Sequence, residues 1–281
     1  MIDISFLKQL DRFSLVIRKR VTSSFVGPRR SVAYGKGLTF REHRIYAPGD
    51  DIRRVDWRVF ARTDDLYVKM FEEERNLVLH TVLDASSSMD FGKPSKFDYG
   101  AMLCVGFAYL AMKENEKVQF STFANTLEVF HQRKGLSQLA SMMKHLNSLK
   151  LGGYSKLKDS FFMYQKFIKS RSLIVLVSDF LVDIEEVRAT LNFMDGHEIK
   201  LIQVLDPIEK ELKFQGNFDL KDSESGEKLK TNISPKVREE YQKLLNEHSA
   251  KVENLCTVMG ADFHQITTDT PVFDAFYKML G

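Results

Sequence analysis

Residues 77–88 read Leu-Val-Leu-His-Thr-Val-Leu-Asp-Ala-Ser-Ser-Ser, and this stretch decides the fold of the 281-residue chain. The run over 77–83 is apolar apart from His80 and Thr81, which predicts a buried strand. Asp84 and the serines after it are typical of the turn that ends a strand. We therefore predict a core strand that carries a polar loop at its carboxyl end.

The same pattern continues along the chain on the C-terminal side. Further apolar runs lie at 118–123, 173–178 and 199–205, and helical periodicity fills 96–114, 136–149, 156–170 and 183–195. After Leu205 we expect a polar hairpin with its turn at 222–226, laid on the edge of the sheet, then a helix over 235–259, a short strand at 262–266 and a closing helix from about residue 271. Alternating strands and helices predict an α/β protein with an open, mostly parallel, Rossmann-like sheet flanked by helices.

The first 65 residues differ from the rest in composition. Residues 5–20 predict a short amphipathic helix, and 21–65 predict short strands and turns because glycine, proline and arginine are frequent there. Residues 1–62 carry a net charge of +8, which leaves about −5 for the remainder of a chain whose total is +3. We therefore predict a basic N-terminal extension, 1–65, packed on a main domain, 66–281, that includes a hairpin insertion at about 206–234. An acidic partner or an anionic surface is the alternative explanation of the basic segment.

Composition also indicates the compartment. No apolar run reaches the roughly 18 to 20 residues that span a bilayer, and the N-terminal residues contain no cleavable apolar stretch. Cys104 and Cys256 are the only cysteines, and each lies in an apolar helical pattern, so neither a disulfide framework nor a zinc site is indicated. We expect a soluble, cytoplasmic chain without a transmembrane segment, whose two thiols are unpaired.

Polar side chains follow two of the predicted core strands. Asp84, Ser86 and Ser88 come after the first, Asp179 follows the run at 173–178, and Ser155 lies in a Gly-Gly loop before the helix at 156. Ligands of open α/β sheets bind outside the carboxyl ends of the strands, and hard oxygen donors suit Mg²⁺. We therefore predict a weak magnesium site at these five residues. The alternatives are that the Asp84 group forms caps or turns and that Asp179 caps the helix at 183.

Here the chain resembles known families. Asp-x-Ser-x-Ser after the first core strand, the Gly-Gly loop and the Asp after a later strand resemble the metal-ion-dependent adhesion site of von Willebrand factor A domains. Residues 40–58, Phe-Arg-Glu-His-Arg-Ile-Tyr-Ala-Pro-Gly-Asp-Asp-Ile-Arg-Arg-Val-Asp-Trp-Arg, resemble the hallmark of the bacterial family numbered 58 among the domains of unknown function. The resemblance extends from about residue 20 to the C-terminal helix. It implies a von Willebrand factor A-like fold, a MoxR-type AAA+ ATPase as partner, and a role in maturing or assembling other, client proteins.

One position departs from the adhesion-site pattern. The threonine that follows Gly-Gly in that site is replaced by Tyr154, whose hydroxyl is carried on a ring too long for the same place. Ser155 would supply the missing hydroxyl only if the loop were shifted by one residue. We therefore expect an easily lost ion, tighter binding in Tyr154→Thr, and a role for Tyr154 in partner contact.

The hallmark segment is rich in both charges. Asp50, Asp51 and Asp56 alternate with Arg53, Arg54, Arg58 and Arg62 around Trp57, which predicts a closed ion-pair network. Such a network suits a clasp that holds the extension on the main domain. A loop-borne cluster of Arg53, Arg54 and Trp57 is equally the composition of a partner-binding surface.

The sequence contains none of the common catalytic motifs. It lacks a nucleophile elbow, a His-Glu-x-x-His helix and a phosphate-binding glycine loop, and its seven histidines are scattered without ligand spacing. We therefore expect a non-enzymatic binding module that captures an acidic side chain of a protein partner, directly or through Mg²⁺. The alternative is a metal-dependent phosphoester hydrolase that uses Asp84 and Asp179. Nucleic acid is not expected as a partner, because aromatic residues do not alternate with the basic ones.

Overall fold

The computed structural model describes residues 6–11, 39–72, 78–130 and 135–280. The chain divides into two compact units, one formed by residues 1–20 with 77–281 and the other by residues 21–76. A helix, α1, covers 6–11; the rest of the helix predicted over 5–20 lies outside the described residues. The predicted packing of residues 1–65 on the main domain stays a prediction.

Six strands form the sheet of the larger unit. They are β3 (Val78–Asp84), β4 (Lys117–Phe123), β5 (Leu127–Val129), β6 (Ser172–Ser178), β7 (Glu198–Leu205) and β10 (Asp262–Thr267). Their order across the sheet is β10-β7-β6-β3-β4-β5. All neighbours are parallel except β5, which pairs antiparallel with β4. The strand order reverses at β3, because β4 lies on one side of it and β6 on the other.

Helices cover both faces of this sheet. Their bounds are α3 (Lys96–Lys113), α4 (Leu136–Ser148), α5 (Leu157–Tyr164), α6 (Ile184–Phe193), α7 (Pro207–Glu211), α8 (Pro235–Val258) and α9 (Val272–Leu280). A core cluster joins α5, α6 and α8 to Ile174 and Leu176 of β6. Neighbouring residues of a strand point to opposite faces of the sheet, so Val177 of β6 points to the face opposite Ile174 and Leu176. Helix α3 packs on that second face, since a Cβ added at its Gly100 would lie 3.0 Å from the Val177 side chain. The central strand β6 is buried on both faces, as expected for a parallel strand between two helical layers.

The predicted hairpin is present but does not extend the main sheet. Strands β8 (Gly216–Lys221) and β9 (Lys228–Ile233) pair only with each other in a two-stranded sheet. The expectation that the hairpin lies on the sheet edge is therefore wrong, because β10 and β5 are the outer strands of the six-stranded sheet. The predicted fold class, an α/β chain with a mostly parallel sheet between helices and a C-terminal hairpin, is confirmed.

The smaller unit is built on an antiparallel pair. Strands β1 (Thr39–Ile45) and β2 (Tyr67–Glu72) pair with each other, and helix α2 (Trp57–Thr63) lies between them in the chain. The described part of the predicted turn-rich stretch thus contains a helix that the sequence reading missed. Asp56 begins this helix by accepting hydrogen bonds from the backbone N–H groups of Arg58 and Val59, which is the standard role of an N-cap aspartate.

Two further sequence expectations concern membranes and thiols. Within the described ranges, no helix has both the length and the apolar character needed to cross a bilayer. Cys104 and Cys256 are both buried and unpaired. Burial raises the pKa of both thiols, that of Cys256 to about 12, so both are expected to react slowly.

Candidate functional site

The predicted polar residues meet at the carboxyl ends of β3 and β6, which are neighbours in the sheet. Asp84 is the last residue of β3, and Asp179 follows directly after β6. The strand order reverses at this place, and open α/β sheets bind their ligands at such a point. We call the set Asp84, Ser86, Ser88, Ser155 and Asp179 the rim.

Asp84 is the centre of the rim and is fully buried. Its Oδ2 accepts hydrogen bonds from the hydroxyls of Ser178 (2.7 Å) and Ser155 (2.8 Å), and its Oδ1 accepts one from the backbone N–H of Ser86 (2.9 Å). Burial, together with the nearby Asp179, raises the pKa of Asp84 to about 6, because both disfavour the charged form. The bond to Ser86 is an Asx turn, so the predicted alternative of a local turn holds alongside the contacts to distant serines.

The loop that carries Ser155 is fixed to the loop after β3 by backbone hydrogen bonds. Gly152 N–H donates to the carbonyl of Ala85 (3.2 Å), and Ser87 N–H donates to the carbonyl of Gly153 (3.1 Å). Gly153 has φ +84°, and a Cβ there would lie 2.2 Å from the Asn125 side chain. Only glycine therefore lets this loop pass so close to the turn after β4.

Ser155, and not Tyr154, supplies the hydroxyl at this corner of the rim. The backbone N–H of Tyr154 donates to Asn125 Oδ1 (3.0 Å), which holds the loop in its register. The Tyr154 side chain is 49% exposed, whereas the Ser155 hydroxyl reaches Asp84. The hydroxyl that lies next to Asp84 is therefore that of Ser155 and not that of Tyr154.

A buried lysine neutralises Asp179. Lys96, the first residue of α3, is fully buried, and its Nζ donates to Asp179 Oδ2 (2.9 Å) and to Glu209 Oε1 (2.8 Å). Burial alone would lower the pKa of Lys96, but the two carboxylates outweigh it and raise that pKa above its usual value. The alternative of Asp179 as a helix cap is wrong, because Asp183 caps α6.

The backbone after Asp179 is held in an uncommon conformation. Phe180 is fully buried with φ +51°, a left-handed conformation that costs a non-glycine residue energy. The surroundings fix it, since His248 Nε2 donates to the carbonyl of Phe180 (2.7 Å) and Gln203 Nε2 donates to that of Asp179 (2.9 Å). Strain that the surrounding structure enforces is common at functional sites.

The tip of the β8–β9 hairpin reaches the rim. Glu224 Oε1 accepts a hydrogen bond from the backbone N–H of Ser155 (3.3 Å). Burial raises the pKa of Glu224. The hydrogen bonds that its carboxylate accepts from the Ser155 N–H and from the Ser88 hydroxyl partly lower that pKa again. The charge of Asp179 contributes to the raised pKa of both Asp84 and Glu224.

The rim offers hard oxygen atoms, the kind of donor that Mg²⁺ binds. No three His, Cys, Asp or Glu side chains converge on a metal position in the part of the chain that the structure describes. Asp84, Ser86, Ser88 and Ser155 offer such oxygens, and the Ser86 and Ser88 hydroxyls are 3.1 Å apart. Asp179, the fifth predicted ligand, instead accepts hydrogen bonds from Lys96 and from the backbone N–H of Leu181. The donors to Asp84 are neutral groups, so its buried charge fits a cation.

The remaining predicted binding residues lie in the smaller unit. Trp57, the first residue of α2, is 57% exposed. Arg53 and Arg54 lie in the short segment that precedes this helix. Among the described residues, the aspartates of the hallmark segment form ion pairs with other partners than the predicted arginines: Asp50 with Arg44 (2.6 Å), and Asp56 with His43 (3.0 Å) and Lys69 (3.3 Å). Of the predicted arginines, Arg54 acts on Asp50 through its charge and helps to lower the pKa of Asp50, so the closed network is not formed. The hydrogen bond from His43 and the other contacts of Asp56 lower its pKa to about 2.

Sequence reasoning missed three residues of the site: Ser178, Lys96 and Glu224. A signal existed for Lys96, because a lysine in the first turn of a helix opposes the helix dipole and calls for a carboxylate partner. Ser178 ends the run at 173–178, whose apolar pattern indicates a buried strand and no binding role. Glu224 lies in a turn that was recognised, but nothing local indicates where that turn points.

Comparisons with known proteins give a family and distant structural likenesses. The family model described as "Protein of unknown function DUF58" matches residues 42–251. An uncharacterized protein of Mycobacterium bovis, Mb1516, and one of Mycobacterium tuberculosis, Rv1480, are each 28% identical over 271 residues, covering 92% of this chain and 84% of the relative.

Among solved structures, the chain is similar to the conserved hypothetical protein BatB from Bacteroides thetaiotaomicron, with a TM-score of 0.44, 16% identity, and coverage of 72% of this chain and 96% of that one. An aerotolerance-related membrane protein from Bacteroides fragilis gives a TM-score of 0.43, 15% identity, and coverage of 73% and 98%. Because the family model spans well over half of the 281 residues, the chain belongs to the protein family of unknown function DUF58.

Proposed function

We propose that the chain is a non-enzymatic protein-binding module whose rim captures an acidic side chain of a partner, directly or through Mg²⁺. The observation that supports this most is that the rim already receives a carboxylate, since Ser155 N–H donates to Glu224 Oε1. Backbone N–H groups and hydroxyls at the end of a sheet form a small, fixed donor set that suits one carboxylate group.

The charges of the rim explain the proposed role of a cation. Lys96 compensates Asp179 and Glu209, but Asp84 remains a buried carboxylate with neutral donors. A second carboxylate that approaches Asp84 is repelled unless positive charge lies between them. Mg²⁺ bound by Asp84, Ser86, Ser88 and Ser155 would supply that charge and leave a coordination position for the partner.

The identity of the partner rests on resemblance. The von Willebrand factor A-like pattern and the family hallmark support a cytoplasmic MoxR-type AAA+ ATPase as one partner and a client protein as another. Exposed Tyr154 lies beside the rim, and Trp57 with Arg53 and Arg54 offers a second surface of hot-spot composition.

Affinity capture from the native cell tests the proposal. Wild type, Asp84→Ala and the control Asp90→Ala serve as baits, with and without EDTA. Asp90 is exposed and close to the rim in sequence. We expect the same proteins on wild type and Asp90→Ala and their loss on Asp84→Ala. Equal capture by Asp84→Ala contradicts the proposal, and Mg²⁺-dependent turnover of a generic phosphoester by the wild type alone favours the hydrolase alternative.

A further inference from the structure

The β8–β9 hairpin is an arm that buries little of itself. Most residues of both strands are exposed, and Ile233, at the base, is the buried residue among them. The base is held by Arg238, which donates to the carbonyl of Phe214 (2.9 Å), and by the rings of Phe214 and Phe218, 5.5 Å apart. A segment with so few buried apolar contacts opens at low cost in free energy.

The tip of the arm is shaped to present one side chain. Asp222 Oδ1 accepts hydrogen bonds from the backbone N–H groups of Glu224 (2.8 Å) and Ser225 (2.7 Å), and Gly226 N–H donates to the carbonyl of Asp222 (3.0 Å). Glu224 is partly buried, whereas Asp222, Ser223 and Ser225 are exposed. The turn is therefore fixed in a conformation that directs Glu224 away from solvent.

We infer that Glu224 is an internal ligand of the rim, occupying the place that a partner's acidic side chain takes. This inference rests on the proposed function of the rim and deepens it in two respects. The partner's ligand is a glutamate presented on a tight turn, since that is the geometry the rim already accepts. The hairpin must also lift before the partner binds, so the resting chain holds its own site closed.

The contact between Glu224 and the Ser155 amide gives a direct test. Hydrogen exchange at the Ser155 N–H is measured in full-length wild type, Glu224→Ala and the matched control Glu227→Ala, whose side chain is exposed on the same turn. We expect exchange on the order of tenfold faster in Glu224→Ala and no change in Glu227→Ala, because the lost acceptor leaves the amide open.

A peptide probe supplies the second measurement. A synthetic peptide of residues 216–233, added to the full-length Glu224→Ala chain, is expected to slow Ser155 exchange again, whereas the same peptide carrying Glu224→Ala is not. Equal exchange in wild type and Glu224→Ala, or equal protection by both peptides, overturns the inference. Failure of the proposed function has a different signature, namely partner capture that does not depend on Asp84 while Ser155 stays protected by Glu224.

Discussion

The buried lysine of the rim allows a quantitative prediction. Lys96→Met keeps a side chain of similar length but removes the charge that faces Asp179 and Glu209, whose side chains are only 2% and 20% exposed. Removing one partner of a buried ion pair costs about 3–5 kcal/mol, because it leaves uncompensated charge in the interior. At about 2–4 °C per kcal/mol for a unit of this size, the melting temperature should fall by roughly 6–20 °C.

Thermal unfolding followed by circular dichroism at neutral pH measures this change. Lys144→Met, at an exposed position of α4, is the control and should melt within about 2 °C of wild type, since exposed substitutions rarely exceed about 0.5 kcal/mol. Adding Asp179→Asn and Glu209→Gln to Lys96→Met should recover most of the loss. A Lys96→Met protein as stable as the control would show that Lys96 does not neutralise these carboxylates and would refute the charge argument for the rim.

Other expectations follow from the same geometry. Because the pKa of Asp84 is raised from 3.8 to about 6, the folded chain keeps a proton that the unfolded chain releases between these pH values. The free energy of unfolding should therefore fall as pH rises through this window, and urea titrations should show no such fall in Asp84→Asn. An ion that binds wild type at a hundredfold excess over Kd raises its free energy of unfolding by about 2.7 kcal/mol. In thermal melts with millimolar Mg²⁺, Ser155→Ala should lose this stabilisation. The sequence alone led us to expect tighter Mg²⁺ binding in Tyr154→Thr; because the Ser155 hydroxyl already reaches Asp84, we now expect Tyr154→Thr to behave as wild type, and tighter binding would contradict this role of Ser155. Cys104 and Cys256 should resist maleimide labelling in the native chain and react on unfolding, and rapid native labelling would show that one of them is accessible.

The strands and most helices were predictable because their signals are local. The run at 173–177 is apolar without interruption, and β6 covers Ser172–Ser178. The meeting of Asp84 and Asp179 also followed from the sequence, since parallel strands end at the same side of a sheet. The three-residue strand β5 gives no periodicity, and the Asp56 cap of α2 was hidden in a stretch dominated by turn residues.

What could not be predicted depends on contacts between distant residues. Lys96 meets Glu209 across 113 positions of sequence, and Ser155 meets Glu224 across 69. The register of the loop at 152–155 is set by Asn125, whose amide oxygen accepts from Tyr154 N–H. No spacing rule relates these residues, because the path of the chain between them decides whether they meet.

The central claim is that the rim binds an acidic side chain of a partner. The most direct test of this claim is the dissociation constant between the chain and its captured partner. It is measured for wild type, Asp84→Ala and Asp90→Ala, each with Mg²⁺ and with EDTA. We expect Asp84→Ala to bind at least about tenfold more weakly than wild type, which corresponds to about 1.4 kcal/mol, and Asp90→Ala to bind as wild type does. Equal affinity of wild type and Asp84→Ala would contradict the rim as the binding site.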